Sequence, residues 1–193
     1  DWDSAAAQAA TAGCNSVAVT VKDASGQVYF DSAQPAASGA IRTESTTAAA
    51  LTAMTASDTY TIARLSCLLD PIAAKADVEG MGLKNTGGYI FYDGNNLNWL
   101  DPSKPAARQY LCGLAKELAE MGFDEILLTD VSYPTEGKLD KIAYGETGKV
   151  QNLNAFLDEM RAALAEYDVK LSIELPAAAI SEGSDSQAGL TLT

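Results

Sequence analysis

The chain has 193 residues, 47% of them hydrophobic, with 26 acidic and 13 basic side chains, no histidine and a formal net charge of −13. This length suits one domain with a real core, and the acidity argues against nucleic acid or an anionic membrane surface as partner. Lack of histidine excludes Ser-His-Asp and Cys-His catalysis, so acid–base chemistry falls to carboxylates, lysine or tyrosine.

Cys14, Cys67 and Cys112 are odd in number and widely spaced, which is neither a disulfide framework nor a zinc pattern. They are expected to be buried free thiols. Neither a metal nor a cofactor is called for. No apolar run approaches the roughly 20 residues that span a bilayer, so no membrane span is expected and the chain reads as soluble. It starts at Asp1, contains no signal segment and reads as a processed or trimmed product.

Residues Ser4 to Ala12 are Ala-rich and helix-prone, and Gly13 is a natural stop. Ser16 to Lys22 alternates, with Val17, Val19 and Val21 on one face and Ala18, Thr20 and Lys22 on the other, as in a strand with one face against helices. Val28 to Phe30 suggests a brief extra strand, and Ser32 to Thr43 a loop. A helix is expected from about Ser45 to Ala56, then a second strand over Thr59–Cys67. A long connection, 68–104, follows within the same domain. Its Tyr89-Ile-Phe-Tyr92 before Asp93-Gly94 suggests a small hairpin, and its length marks it as a lid, a binding segment or a cover for a satellite cluster.

Asp101-Pro102-Ser103 is a helix-start signal. Ala107, Tyr110, Leu111, Leu114, Leu118 and Met121 then form one helical stripe. After Gly122 the apolar run Ile126-Leu-Leu128 reads as a buried third strand, with Thr129, Asp130 and Ser132 as its polar exit. Pro134 to Gly148 reads as loop, Val150 to Tyr167 as an amphipathic helix, and Val169 to Leu175 as a fourth strand. In that strand Leu171, Ile173 and Leu175 face helices, leaving Ser172 and Glu174 opposite. The tail from Ser181 to Thr193 is polar and expected to be poorly ordered.

Strand–helix alternation implies a parallel sheet with right-handed crossovers. The small or polar second faces suit the inside of a β/α barrel, and four strands make about half of one. The fold class expected is therefore α/β, a TIM-type parallel barrel with only its first four units present, as a single domain over 1–193. In such folds ligands sit outside the carboxyl ends of the strands.

Val21-Lys22-Asp23, Ile62-Ala-Arg64, Leu69-Asp70-Pro71, Trp99-Leu-Asp101-Pro102, Gly122-Phe-Asp-Glu-Ile126 and Val131-Ser-Tyr-Pro134 occur in an order that resembles the glycoside hydrolase-like domain of bacterial envelope proteins, itself similar to the α-amylase-type barrels. The resemblance runs from about Ser16 to Ala179. It implies a barrel handling polysaccharide or oligosaccharide at its carboxyl-end loops, outside the cell or in the bacterial envelope. It also exposes departures: Thr20 replaces an Asp of the pattern, Thr129-Asp130 an Asp-Tyr pair, and Ser132 an Arg.

Glycosidases need two carboxyl groups about 5–10 Å apart across the scissile bond. Glu174 is the inward acid, at the strand end where the α-amylase clan keeps its nucleophile. Asp130, of opposite parity, reaches the site only if its strand has already bent. Lys22 and Arg64 share the inward face and serve either as substrate contacts or as partners in a buried ion pair with Glu174. Trp99 and Tyr133 are either sugar-stacking rings or core. Two function classes follow: a glycoside hydrolase using carboxylates, or an inactive barrel binding glycan or protein. Open edges further imply self-association or a missing second barrel half.

Overall fold

The computed structural model describes residues 2–191. In chain order the elements are α1 (Trp2–Thr11), β1 (Ser16–Lys22), α2 (Ser45–Thr55), β2 (Tyr60–Ser66), α3 (Pro71–Ala76), α4 (Pro105–Glu120), β3 (Glu125–Thr129), α5 (Lys149–Ala163), β4 (Lys170–Ile173), α6 (Ala177–Glu182), β5 (Ser184–Asp185) and β6 (Leu190–Thr191). The first four strands form one sheet in the order β1-β2-β3-β4, and every neighbouring pair is parallel. The chain is thus a mixed α/β fold on a four-stranded parallel sheet, with the strands in the order expected of a β/α barrel.

Register explains which face is buried. Val19, Ala63, Ile126 and Leu171 are aligned across the sheet, and Ala63 and Ile126 in that row are fully buried. The next row on the opposite face holds Thr20, Arg64, Leu127 and Ser172. None of these four is buried. Alternation along the strands therefore sends most of the apolar set toward the helices and leaves the second face more open, with Ile62 and Leu127 as its large apolar members.

The stripe on α4 packs as its spacing requires, with Ala107, Tyr110, Leu111, Leu114 and Leu118 buried. Leu153, Phe156 and Met160 do the same on α5. Each fully buried Leu or Phe contributes roughly 1.5–3 kcal/mol relative to exposure. Gly122 closes the α4-to-β3 turn at φ 92, a left-handed conformation that glycine adopts without strain.

The structure corrects several local expectations. Val28–Phe30 is not a strand; Val28 makes single bridges to Lys22 and Ile41. The 68–104 connection contains α3, capped by the Asp70 side chain accepting from the Ala73 N–H at 2.9 Å. Its hairpin turns at Asn85–Gly88, where Lys84 bridges Ile90, and Asp93 closes a separate turn with Leu97. The helix after Asp101 starts only at Pro105, because Asp101 instead accepts from the N–H and hydroxyl of Ser103 in a local turn. The tail is ordered through residue 191: α6 and the β5–β6 hairpin fold back, burying Ala188 and Leu190, and the Ala188 carbonyl accepts from the Tyr133 N–H at 2.9 Å. Residues 192–193 of that expectation lie outside the described residues.

Candidate functional site

At the carboxyl end of β3 the backbone of Asp130 adopts φ 54. A non-glycine residue there is uncommon and strained, a feature that concentrates at functional sites. The bend answers the parity problem: Asp130 follows the helix-facing phase of Ile126 and Leu128, and the left-handed step swings it out of that phase. Its carboxylate accepts from the Ser66 hydroxyl at 2.6 Å and from the Thr129 hydroxyl at 3.1 Å. Its carbonyl accepts from the Leu68 N–H at 3.2 Å, tying the exits of β2 and β3 together.

Glu174 sits one residue past β4, its N–H donating to the Leu128 carbonyl at 2.9 Å. Its carboxylate takes a hydrogen bond from Arg64 Nη2 at 2.8 Å. The pair is open to solvent, with side chains 41% and 56% exposed, so its direct contribution to stability is small. The Arg64 Nε is nevertheless buried and unpaired among the described residues. Asp130, Val131, Ser132, Glu174, Leu175 and Pro176 enclose a cleft of about 210 Å³ at the carboxyl ends of β3 and β4. Both expected acids therefore line one depression, and Arg64 adjoins it only through its bond to Glu174.

Lys22 does not join them. It is buried, donating to the Ser66 carbonyl at 2.8 Å, and its ammonium lies 3.1 Å from the Asp70 carboxylate. The cause is a register shift between Thr20 and Lys22 that pairs Lys22 with Leu65 instead of Ser66. Of the two readings given for Lys22, the buried ion pair is the one found, with Asp70 and not Glu174 as its acid. Ser66 links the two regions: its carbonyl holds Lys22 and its hydroxyl holds Asp130. Burial and the Asp70 charge push the Tyr110 hydroxyl well above its ordinary range. Sequence reasoning missed Asp70 and Ser66. The Asp70-Pro71 step, a cap-plus-proline signal like the one read at Asp101-Pro102, was available for the first.

Trp99 and Tyr133 are core residues in this structure. The indole Nε1 donates to Asp93 at 2.9 Å, and the ring is 8% exposed. The Tyr133 hydroxyl accepts from the Asn152 amide at 2.9 Å, and its ring meets Tyr144 edge-on at 5.2 Å. Cys67 and Cys112 are buried as expected, whereas Cys14 is exposed. Burial pushes the Cys67 thiol up strongly and that of Cys112 up to about 11. Among the described residues no cluster of metal-ligating side chains occurs, and no helix is long and apolar enough to cross a membrane.

A crystal structure of a hypothetical protein from Ruminiclostridium thermocellum ATCC 27405 shares the fold, with a TM-score of 0.76 and 28% identity over 90% of each chain. The glycoside hydrolase domain of PelA from Pseudomonas aeruginosa aligns at 16% identity and a TM-score of 0.45. A variant of that domain aligns at 18% and 0.46. In both cases 86% of this chain is covered, and the chain spans 62% of the PelA domain. No curated protein matches the sequence. A family model matches residues 3–193, nearly the entire chain, and the chain belongs to the family it describes, "Putative glycosyl hydrolase domain".

Proposed function

We propose that this chain is half of a β/α barrel that engages polysaccharide at the bacterial envelope through the cleft at the carboxyl ends of β3 and β4. The observation that carries this is that Asp130, at its left-handed bend, and Glu174 line one cleft. Two carboxyl groups at one cleft are the minimum equipment for glycoside hydrolysis. In this reading Glu174, fixed by Arg64, is the carboxylate that faces the anomeric carbon. Asp130, fixed by Ser66 and Thr129, is the second acid of the pair. Arg64 also contacts the substrate, since its guanidinium retains donors beyond the one given to Glu174.

A second reading, binding without turnover, has its own support. Both carboxyl groups are already engaged by groups of the protein itself, Glu174 by Arg64 and Asp130 by Ser66 and Thr129. The threonines at positions 20 and 129, where the family pattern has acids, point the same way. Reducing-end release and binding on affinity gels, measured separately on the full chain with a panel of polysaccharides, discriminate the two. Loss of turnover in Glu174→Gln with binding retained supports the hydrolase. Near-zero turnover in both forms, with binding abolished in Arg64→Ala, supports the binding module. Neither turnover nor binding by the unaltered chain overturns both.

A further inference from the structure

The two most exposed tyrosines among the described residues are Tyr89, 76% exposed, and Tyr92, 46% exposed. With Asn85, Thr86, Lys138 and Lys141 they line a separate hollow of about 470 Å³. The hollow lies between the connection that leaves the carboxyl end of β2 and the one that leaves the carboxyl end of β3. It is therefore built from the loops of the same sheet end as the Asp130–Glu174 cleft.

These two loops are stitched together through their backbones. Thr86 N–H donates to Lys141 at 2.8 Å, Ala143 N–H to Lys84 at 2.9 Å, and Gly94 N–H to Glu136 at 3.2 Å. Asn85 bridges Ile142, and Asp93 bridges Gly137. The Asn85 side chain holds the turn beneath Tyr89, accepting from the Gly87 N–H at 2.9 Å and the Tyr89 N–H at 3.2 Å. The exposed rings thus stand on a fixed platform, and ligand binding there does not first have to order a loop. Large exposed aromatics around a hollow with a few polar groups have the anatomy of a ligand site.

We propose that this hollow is a stacking subsite for a neutral pyranose ring of an oligosaccharide, with Tyr89 and Tyr92 against its apolar C–H face and Lys138 donating to its hydroxyls. The proposal rests on the reading of this chain as polysaccharide-engaging, and adds to it a remote subsite and a charge preference. Charge favours a neutral ligand. Two of the lysines nearby are offset by acids, Lys141 by Asp140 at 2.7 Å and Lys84 by Glu79 at 2.8 Å, while the Lys75 ammonium stands 5.9 Å from the centroid of the Tyr92 ring and Lys138 is left to meet the ligand. The whole chain carries a net −13, which repels polyanions at long range. The amphipathic tyrosine ring with its hydroxyl suits a sugar that is apolar on one face and polar at its rim.

The test is calorimetric titration of the full chain with cellohexaose, a neutral probe, and with hexagalacturonate, an acidic one. Tyr89→Ala, the Tyr89→Ala/Tyr92→Ala double variant and Arg64→Ala are titrated in parallel, and circular dichroism confirms folding. The expected result is tighter binding of cellohexaose, weakened at least about tenfold in the double variant. Binding lost in Arg64→Ala but unchanged in the tyrosine variants overturns the subsite and leaves the cleft reading standing. The reverse pattern supports the subsite and overturns the cleft. Tighter binding of hexagalacturonate overturns the charge preference, and binding of neither probe overturns the subsite.

Discussion

The Lys22 and Asp70 side chains, neither with any exposed surface, face each other at 3.1 Å between the end of β1 and the start of α3. Asp70 has a second duty as the α3 cap, and Gly26 is packed so close that a Cβ there would lie 2.4 Å from Asp70 Oδ1. A buried pair is a poor source of net stability but expensive to break, because the surviving charge is stranded. Lys22→Met is therefore expected to destabilise the chain by about 3–5 kcal/mol in urea unfolding. Adding Asp70→Asn should restore a substantial part, since the amide is neutral and still accepts from Ala73. A cost below about 1 kcal/mol for the single variant would mean that the pair is not the closed unit described.

Asp23, just after β1, shows the opposite economy at the surface. Burial works to raise its pKa, but hydrogen bonds from the Ser25 and Tyr29 side chains and from the Gln27 and Ser25 N–H groups together hold it below the ordinary 3.8. A carboxyl group depressed on folding binds fewer protons in the native state. It therefore contributes stability above its unfolded pKa and loses it as pH falls through the folded value. Unfolding measured between pH 5 and pH 2 should show a shallower loss in Asp23→Asn than in the unaltered chain, by a margin reduced by solvent screening. Parallel curves for the two proteins would remove Asp23 from the acid-sensitive set.

At the scale of elements, the two loops over the tyrosine hollow depend on a backbone approach that only glycine permits. A Cβ on Gly137, which sits at φ 103, would lie 2.8 Å from the Gly94 nitrogen. Gly137→Ala should therefore prise the loops apart at a cost of about 1–3 kcal/mol. The specific readout is hydrogen exchange: the Thr86 and Ala143 amides, which bond across the loops, should lose protection while Ala63 and Ile126 in the sheet keep theirs. Unchanged protection at Thr86 and Ala143 would show that the stitching does not need this approach.

What the sequence made legible follows the same scale. Alternation over Ser16–Lys22 and the apolar run at Ile126–Leu128 placed the strands within a residue or two, because a buried sheet face demands that pattern. The stripe from Ala107 to Leu118 did the same for α4. α3 was missed because its six residues are too few for a period to show, leaving only its Asp-Pro cap as a signal. The ordered tail was missed because its burial rests on distant partners, Tyr133 for Ala188 and α5 for the strand that holds Leu190, contacts no local composition records. At the site, shared parity put Arg64 and Glu174 on one face but left open whether they pair with each other or meet a substrate. The shift at Lys22 and the bend at Asp130 are register events, decided by neighbouring strands and invisible along a single one.

For the whole molecule the governing fact is a parallel sheet with β1 and β4 each paired to one other strand only, the β1 edge being covered near its end by the Lys22–Val28 bridge. Its second face is open around Leu127 and Arg64, and a hollow of about 750 Å³ between α1, β1 and α2 is lined by Trp2, Val17, Val19, Leu51 and Met54. Open strand edges beside uncovered apolar surface are templates for further pairing. Against this stands the net charge of −13, whose self-repulsion opposes association and is screened by salt. The two effects together predict a salt-dependent equilibrium. In light scattering the isolated chain should exceed its 20.2 kDa monomer mass at tens of micromolar, and more so at about 0.5 M salt than at about 0.02 M, where screening falls from strong to weak. Leu127→Lys, on the open face and away from both edges, should shift it toward monomer without unfolding it. A monomer at every salt concentration, unfolding cooperatively and binding no hydrophobic dye, would show that the open edges and face are already self-protected. A second barrel half, whether from another copy or from further chain, would then answer no physical need of this sheet.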